Sequence, residues 1–271
     1  MRLALIGCVA AALLLAAGHF RPRVRQPLIR GGFAADLTHA LVNGVLLDLP
    51  VALALRAVAA GLEDALGARA HQPLTHAPLW QQAILFLLVG DLLKWSIHAL
   101  HHHVPILWRL HQVHHSTRQM DALSHARSHP VEFLLNRLPF LLLFVVVLGI
   151  DARVIACYSA LDLMQGLWVH SNTRLRTGPL KFVIATQEFH HWHHANDPAA
   201  IDRNFGGFLS VWDWLFGTAY CPSNREVPGF GIAGVEPSPH YRDHLMMPLG
   251  SLRLAKWNFD HTPPSNPDGG L

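Results

Sequence analysis

Charge is scarce in this chain. Only 14% of its 271 residues are Asp, Glu, Lys or Arg, against about 25% in soluble domains. Hydrophobic residues make up 51%. That balance argues against an ordinary soluble enzyme and for a helical membrane protein, and it rules out disorder over most of the length. Cysteine is scarce too. Cys8, Cys157 and Cys221 have no paired spacing, so neither a disulfide scaffold nor a thiolate zinc site is supported. The formal net charge is a mild +3 and arginine is scattered, which leaves no footprint for nucleic acid. The abundant residue is histidine: 21 copies, equal to Lys plus Arg and more than the 18 Asp plus Glu.

Five apolar segments stand out: Leu3 to Phe20, Leu37 to Ala60 (interrupted by Asp48 and Arg56), Leu79 to Ile97 (with Asp91 and Lys94 near its end), Phe133 to Ile150, and Val154 to His170. Several are near the lower limit for crossing a bilayer, which takes about 20 helical residues. The expected fold is all-α, a multi-pass transmembrane helical bundle of about four to five spans. The first segment reads as an uncleaved anchor in preference to a signal peptide. Arg21, Arg23, Arg25 and Arg30 follow it, and such a cluster tends to stay cytoplasmic. Counting from there, the chain from His98 to His129 lies on the cytoplasmic side. If the fourth and fifth segments form a hairpin at Gly149-Ile150-Asp151, the chain from Asn172 onward lies there as well. The expected location is a bacterial inner membrane, with a histidine-rich helical cap facing the cytoplasm. Residues 1–36 read as anchor and basic linker, 37–78 as an additional span and loop, 79–220 as the histidine-bearing unit and 221–271 as a Pro/Gly-rich tail, of which Pro263 to Leu271 reads as disordered.

The histidines are patterned. His-x-x-His-His occurs as His111, His114, His115 and again as His190, His193, His194, and His98 with His102 reads His-x-x-x-His. Helical residues three or four apart share a face, with Cβ atoms about 5–6 Å apart, so such imidazoles can reach one metal or two adjacent ones. A lone buried histidine is usually hydrogen-bonded core, and a terminal run is usually a tag or solvated tract. Neither explains three internal clusters, each at the end of an apolar segment. Unsatisfied, each imidazole would cost about 1–3 kcal/mol; metal binding satisfies them together. Imidazole suits zinc, copper, iron and nickel alike. A structural zinc site closes with four ligands, so eight or more histidines suit a dinuclear centre that does chemistry. Asp91, two turns before His98, is placed to accept the second N–H of an imidazole and fix its orientation.

These residues carry a resemblance. The blocks Asp91-Leu-Leu-Lys-Trp-Ser-Ile-His98-Ala-Leu-His-His102-His-Val-Pro-Ile-Leu-Trp108-Arg-Leu-His111-Gln-Val-His114-His115-Ser and Phe189-His190-His-Trp-His193-His194, followed by Asn204-Phe-Gly206 and Trp212-Asp-Trp-Leu-Phe-Gly217-Thr, resemble the fatty acid hydroxylase / sterol desaturase superfamily of membrane di-iron oxygenases. Arg127-Ser-His129-Pro130-Val-Glu132 and His170-Ser-Asn172 look like further landmarks of it. The similarity runs from about Asp91 to Tyr220. It implies as metal ligands His98, His102, His111, His114, His115, His190, His193 and His194, and His170 at a further ligand position. Some relatives carry another histidine four residues earlier, where this chain has Gly166. His101, His103 and His191 read as bystanders, and His129 as supporting or structural. His240 and His244 fall outside the match. Asp91 and Asn172 are the candidates for holding ligands in place.

The resemblance further implies two iron ions, with zinc as a possible substitute in purified protein, and O₂-dependent hydroxylation or desaturation of a lipid C–H bond, in a fatty acyl, sterol or related isoprenoid substrate. No haem or flavin module is evident, and His129-Pro130 continues with Val-Glu instead of a Gly pair. A separate electron donor follows, a small cytochrome or a ferredoxin with its reductase. Trp95, Trp108, Trp168, Trp192 and Phe189 could line a lipid cavity or could simply pack. The alternatives are a histidine-rich membrane metal-binding or transport protein without oxygenase activity, and a membrane protein that has lost catalysis.

Overall fold

The computed structural model describes residues 2–67, 72–175 and 177–254; the stretch expected to be disordered, Pro263 to Leu271, lies outside them. Among the described residues there is no β-sheet, only three isolated bridges. The helices are α1 (Arg2–Phe20), α2 (Phe33–Leu41), α3 (Asp48–Leu66), α4 (Leu79–Leu85), α5 (Asp91–His103), α6 (Pro105–His115), α7 (Pro130–Phe140), α8 (Ala152–His170), α9 (Gln187–His193), α10 (Val211–Phe216) and α11 (Tyr241–Leu254). π-Helical turns at Val42–Leu47 and Phe86–Gly90 join α2 to α3 and α4 to α5, and a third, Leu141–Val147, extends α7. Among the described residues this gives three continuous apolar helices long enough to cross a membrane: Phe33–Leu62, Leu79–His103 and Pro130–Val147.

The other two segments expected to span are weaker. The apolar part of α1 is the shorter Cys8–Phe20. α8 has 19 residues, but Arg153, Asp162 and Gln165 interrupt its apolar character. It packs against α1, α9 and the 3₁₀ turn Ala122–Ala126, and most of its buried residues gather at its C-terminal end, Gln165 to His170.

Two features set the direction of the bundle. Val104 is extended, and Pro105 occupies the first turn of α6. A proline disfavours helix at the residue before it and has no N–H to continue the ladder, so α5 stops and α6 folds back along it. In the long helix Phe33–Leu62, the buried side chains other than Ala35 are polar: Asp36, His39 and Asn43. They recur at i, i+3 and i+7, one helical stripe, while Leu41, Val45, Leu46 and Leu53 point outward. This inverts the pattern of a soluble helix and suits lipid around the bundle. A small aromatic core, Phe86 and Phe144 with ring centroids 4.2 Å apart, ties the second and third long helices together.

The basic linker after α1 is not a free loop. Arg30 is buried, and donates to Asp121 at 2.6 and 2.8 Å and to Asp36 at 2.6 Å. Arg127 donates to Asp36 at 2.5 Å and to the Ser116 hydroxyl at 3.1 Å. Two cations thus meet two carboxylates. Such a balanced buried network is costly to break from one side, about 3–5 kcal/mol, and it clamps the linker to the turn after α6.

Candidate metal centre

Four helices bring their histidines to one end of the bundle. α5 carries His98 and His102, α6 carries His111, His114 and His115, α8 ends on His170, and α9 with its C-cap carries His190, His193 and His194. They sort into two groups, His98, His102, His111, His115, His193 and His114, His170, His190, His194, within each of which the ring nitrogens lie within 4.8 Å of one another. Every residue expected as a ligand falls in one group or the other. α6 and α9 serve both: steps of three and four residues from one anchor turn side chains to opposite sides of a shared stripe. The groups abut, with the His115 and His194 rings stacked at 4.4 Å.

Six of the nine outer nitrogens are held by acceptors, while His190 and His194 Nδ1 are buried with none. His98 Nδ1–H donates to the Phe205 carbonyl at 2.8 Å, His114 to Arg127 at 2.9 Å, His170 to Gly166 at 2.7 Å and His193 to Arg203 at 2.7 Å. His111 Nδ1 meets the Glu132 carboxylate at 2.6 Å, and His102 Nδ1 meets Asp202 at 3.1 Å. A carbonyl only accepts, so each neutral ring keeps its proton on Nδ1 and presents a bare Nε2. Those bare nitrogens face one another: His98 and His111 at 3.1 Å, His114 and His170 at 3.2 Å. His102 Nε2 and His193 Nε2 are buried with no partner at all. Opposed lone pairs with no proton between them are what a cation resolves, and thiolates contribute nothing here. The donor set therefore fits metal, and imidazole nitrogen suits iron, zinc or copper equally. Burial drives the imidazoles toward neutrality: it holds His111, His115 and His194 well below the ordinary value and lowers His193 to about 3.

The loop after α9 is built to deliver two of these acceptors. Asn204, with a φ of 62°, donates to the Phe189 and Tyr220 carbonyls. Asp213 accepts from the backbone N–H of Phe205 and Gly206, from Trp95 and from Thr218. A Cβ on Gly206 would lie 2.6 Å from the Leu209 carbonyl oxygen. The Asn204-Phe-Gly206 and Trp212-to-Thr218 landmarks are thus a scaffold that aims the Phe205 carbonyl at His98. Phe205, 1% exposed, also covers the first group, with its ring 5.2 Å from that of His102.

Asp91 acts at one remove from where it was expected. Its carboxylate accepts from the Phe208 and Leu209 N–H groups at 2.9 and 2.8 Å and from the Trp212 indole at 3.1 Å. It anchors the scaffold loop and not an imidazole. Asn172 pairs with the backbone of Val24 through both side-chain atoms, docking the linker. His129 caps α7 by accepting from Val131 N–H at 3.2 Å. His101 and His191 are buried outside both groups, and His191 faces Arg23 at 2.9 Å. His244 pairs with His39 at 3.0 Å, away from the centre. Of the aromatics, Trp108 touches the rings of His102 and His115, Trp95 packs on Phe216, and Trp192 packs on Tyr220. Glu132 and Asp202 are the carboxylates the sequence reading did not assign. A lone acid opening an apolar helix was a usable signal for Glu132; Asp202, at a φ of 54°, offered none.

The family model described as Fatty acid hydroxylase matches residues 83–218, half of the chain. The chain belongs to the fatty acid hydroxylase family. Three relatives bracket its range. Ornithine lipid hydroxylase OlsE of Rhizobium tropici is 30% identical over 206 residues, 73% of this chain and 61% of its own length. Alkylglycerol monooxygenase of Xenopus tropicalis is 29% identical over 148 residues, 55% of this chain and 32% of that protein. Lathosterol oxidase of Homo sapiens is 27% identical over 148 residues, 54% of this chain and 47% of that protein. The aligned part therefore covers less than two thirds of each relative's length. No solved structure matches. The matched residues take in both histidine groups and two of the three long apolar helices, most of Leu79–His103 and all of Pro130–Val147.

Proposed function

We propose that this chain is a membrane-bound di-iron oxygenase that hydroxylates or desaturates a C–H bond of a lipid, using O₂ and electrons from a separate donor. The relatives act on ornithine lipid, alkylglycerol and lathosterol by their names, so a polar-headed or sterol-like lipid is the substrate class. His98, His102, His111, His115 and His193 would hold one iron, and His114, His170, His190 and His194 the other. When bound, the irons supply activation of O₂ and attack on an unactivated C–H bond. The chain's own residues do the rest. The acceptors at Nδ1 keep the rings of His98, His102, His111, His114, His170 and His193 in one tautomer and one orientation. Glu132 makes the His111 imidazole a stronger donor through the hydrogen bond it accepts. Phe205 and Trp108 keep water off the first group, in a pocket where ligand charge and orientation are fixed in advance.

Residues 79–220 make up the oxygenase unit, 1–36 the anchor and docked linker, 37–78 an added span and loop, and 221–271 a tail. The histidine end faces the cytoplasm of a bacterial inner membrane, where a small cytochrome or ferredoxin reaches it while the lipid enters from the bilayer. The carrying observation is the opposed bare Nε2 atoms in two abutting groups. A transport path would instead string ligands along the membrane normal; here α5, α6, α8 and α9 gather them in one place.

The test couples metal to product. The purified chain should hold two irons, and cells expressing it under ¹⁸O₂ should gain a labelled or newly unsaturated lipid. His114→Ala should keep the helical content, lose one iron and drop product formation at least ~100-fold, beyond the range that loss of a supporting partner costs. An unchanged lipid profile under air would sink the enzyme reading.

A further inference from the structure

The two histidine groups are unequal, five imidazoles against four. Four rings pack against His170, three of them from its own group: His190 at 4.4 Å and His114 and His194 at 5.1 Å between centroids. The fourth is His125, at 5.2 Å. His125 sits in the 3₁₀ turn Ala122–Ala126, which Asp121 caps by accepting from Leu123 and Ser124 N–H. The turn is locked in place because the same Asp121 carries the Arg30 ion pair. The space for the ring is cut out of α8. A Cβ on Gly166 would lie 2.1 Å from His125 Cε1 and 2.5 Å from each of its ring nitrogens, separations no side chain tolerates. Gly166 is one turn before His170, and its carbonyl takes the His170 Nδ1–H at 2.7 Å. A bare position inside the last turns of α8, with no turn or positive φ to require glycine, costs helix stability of about 1 kcal/mol relative to alanine. Here it admits an imidazole from another element against the smaller group.

We propose that His125 is a tenth imidazole of the centre: it lies outside the cluster of four nitrogens but packs on His170 beside it, serves the His114, His170, His190, His194 site when metal binds, and is let in by Gly166. The proposal rests on the metal-centre reading above. It is separate from the ligand positions that the sequence pattern offers, since His125 lies in none of the histidine boxes.

The test compares the whole chain in detergent with His125→Phe, His125→Ala and Gly166→Ala, each loaded with cobalt(II) and dialysed against a chelator. Phenylalanine keeps a ring on Gly166 but has no lone pair. Metal per chain and the cobalt visible spectrum, whose intensity and band positions follow coordination number, are read together. Wild type should retain two ions. All three variants should retain one ion with wild-type resistance and release the second at least tenfold more readily, with the spectrum of one ion shifted toward lower coordination. The retained ion reports that the fold is intact. If His125→Phe keeps both ions and the wild-type spectrum, or loses both ions together, His125 is packing and the proposal fails. If wild type itself does not hold two ions, the metal-centre reading fails first.

Discussion

The histidine end and the long helix Phe33–Leu62 are specified by different physics. Nothing in the most apolar stretch of that helix is buried inside the chain. Val45, Leu46 and Leu53 look outward, and their chemistry asks only for an apolar solvent. At the histidine end six of the nine grouped imidazoles have a named acceptor behind them, at distances from 2.6 to 3.1 Å. Bilayer insertion is a sum over many interchangeable residues. Metal ligation depends on direction, so one displaced acceptor misaims one ring. The same helix shows both regimes: Asp36, His39 and Asn43, buried at its first turns, belong to the directional side, with Asn43 donating to the Ser128 carbonyl at 2.8 Å.

Acid should break the comparison most completely, because it attacks one region and leaves the other. The folded chain holds His111, His115, His193 and His194 neutral, with His193 lowered by burial to about 3, whereas an unfolded histidine titrates near 6.5. A depressed histidine means that the unfolded chain binds more protons in between, so stability rises with pH there. The contribution is complete above about 6.5 and drains away as the pH falls through that value toward 3. Metal binding adds in the same direction, since only neutral imidazole ligates. Both metals should leave between about pH 6 and 4, followed by emission spectroscopy on dialysed samples, while the helical signal of the apolar spans persists. Retention of metal at pH 4 would contradict it.

Glu132 sharpens the comparison within the centre. Its carboxylate is 2.6 Å from His111 Nδ1 and 3.1 Å from the Ser128 hydroxyl. Glu132→Leu removes the acceptor but fills the space. Loss of such a partner costs about 10–100-fold in metal affinity, and competition with a chelator should find that loss at the five-histidine site alone. Glu132→Gln still offers an oxygen, and should recover most of it. Equal effects of leucine and glutamine would make Glu132 a packing residue.

The division also explains what the sequence disclosed. The ligand-type histidines were legible because spacing of three and four residues is a helical property that survives any tertiary arrangement. The supporting contacts were not. Phe205 and Arg127 contribute carbonyl oxygens, which every residue has, so no letter marks them. Asp91 was legible as a charge in an apolar run, yet its position one stripe with His98 pointed to an imidazole; the folded loop brings the Phe208 and Leu209 N–H groups to it first. Arg30 read as one of a basic cluster, and its sealed ion network was not legible, because Asp121, its partner, is ninety-one residues away. The all-α architecture followed from hydropathy alone. The segment Val154 to His170 was legible as α8, but the ion pair of its Asp162 with Lys94, which ties α8 to α5, was not.

The smallest effect is expected on the lipid side, and it tests whether the two regions are independent. Leu53 is 60% exposed in the middle of the Phe33–Leu62 helix. Leu53→Ala gives up only the insertion preference of one leucine, about 0.3–0.6 kcal/mol, with no contact to the centre to transmit it. Metal content, chelator resistance and lipid turnover should all stay at wild-type values. Leu53→Asp is the counterpart: a carboxylate at that depth costs about 2.5–3.5 kcal/mol of insertion, which should lower the amount of protein in the membrane while each inserted molecule keeps its metals. The readout is therefore metal per inserted chain, set against chains per membrane. If Leu53→Ala loosens the metals, the apolar helix is coupled to the centre through Asp36 and Asn43, and lipid packing joins hydrogen-bond direction as a determinant of the site.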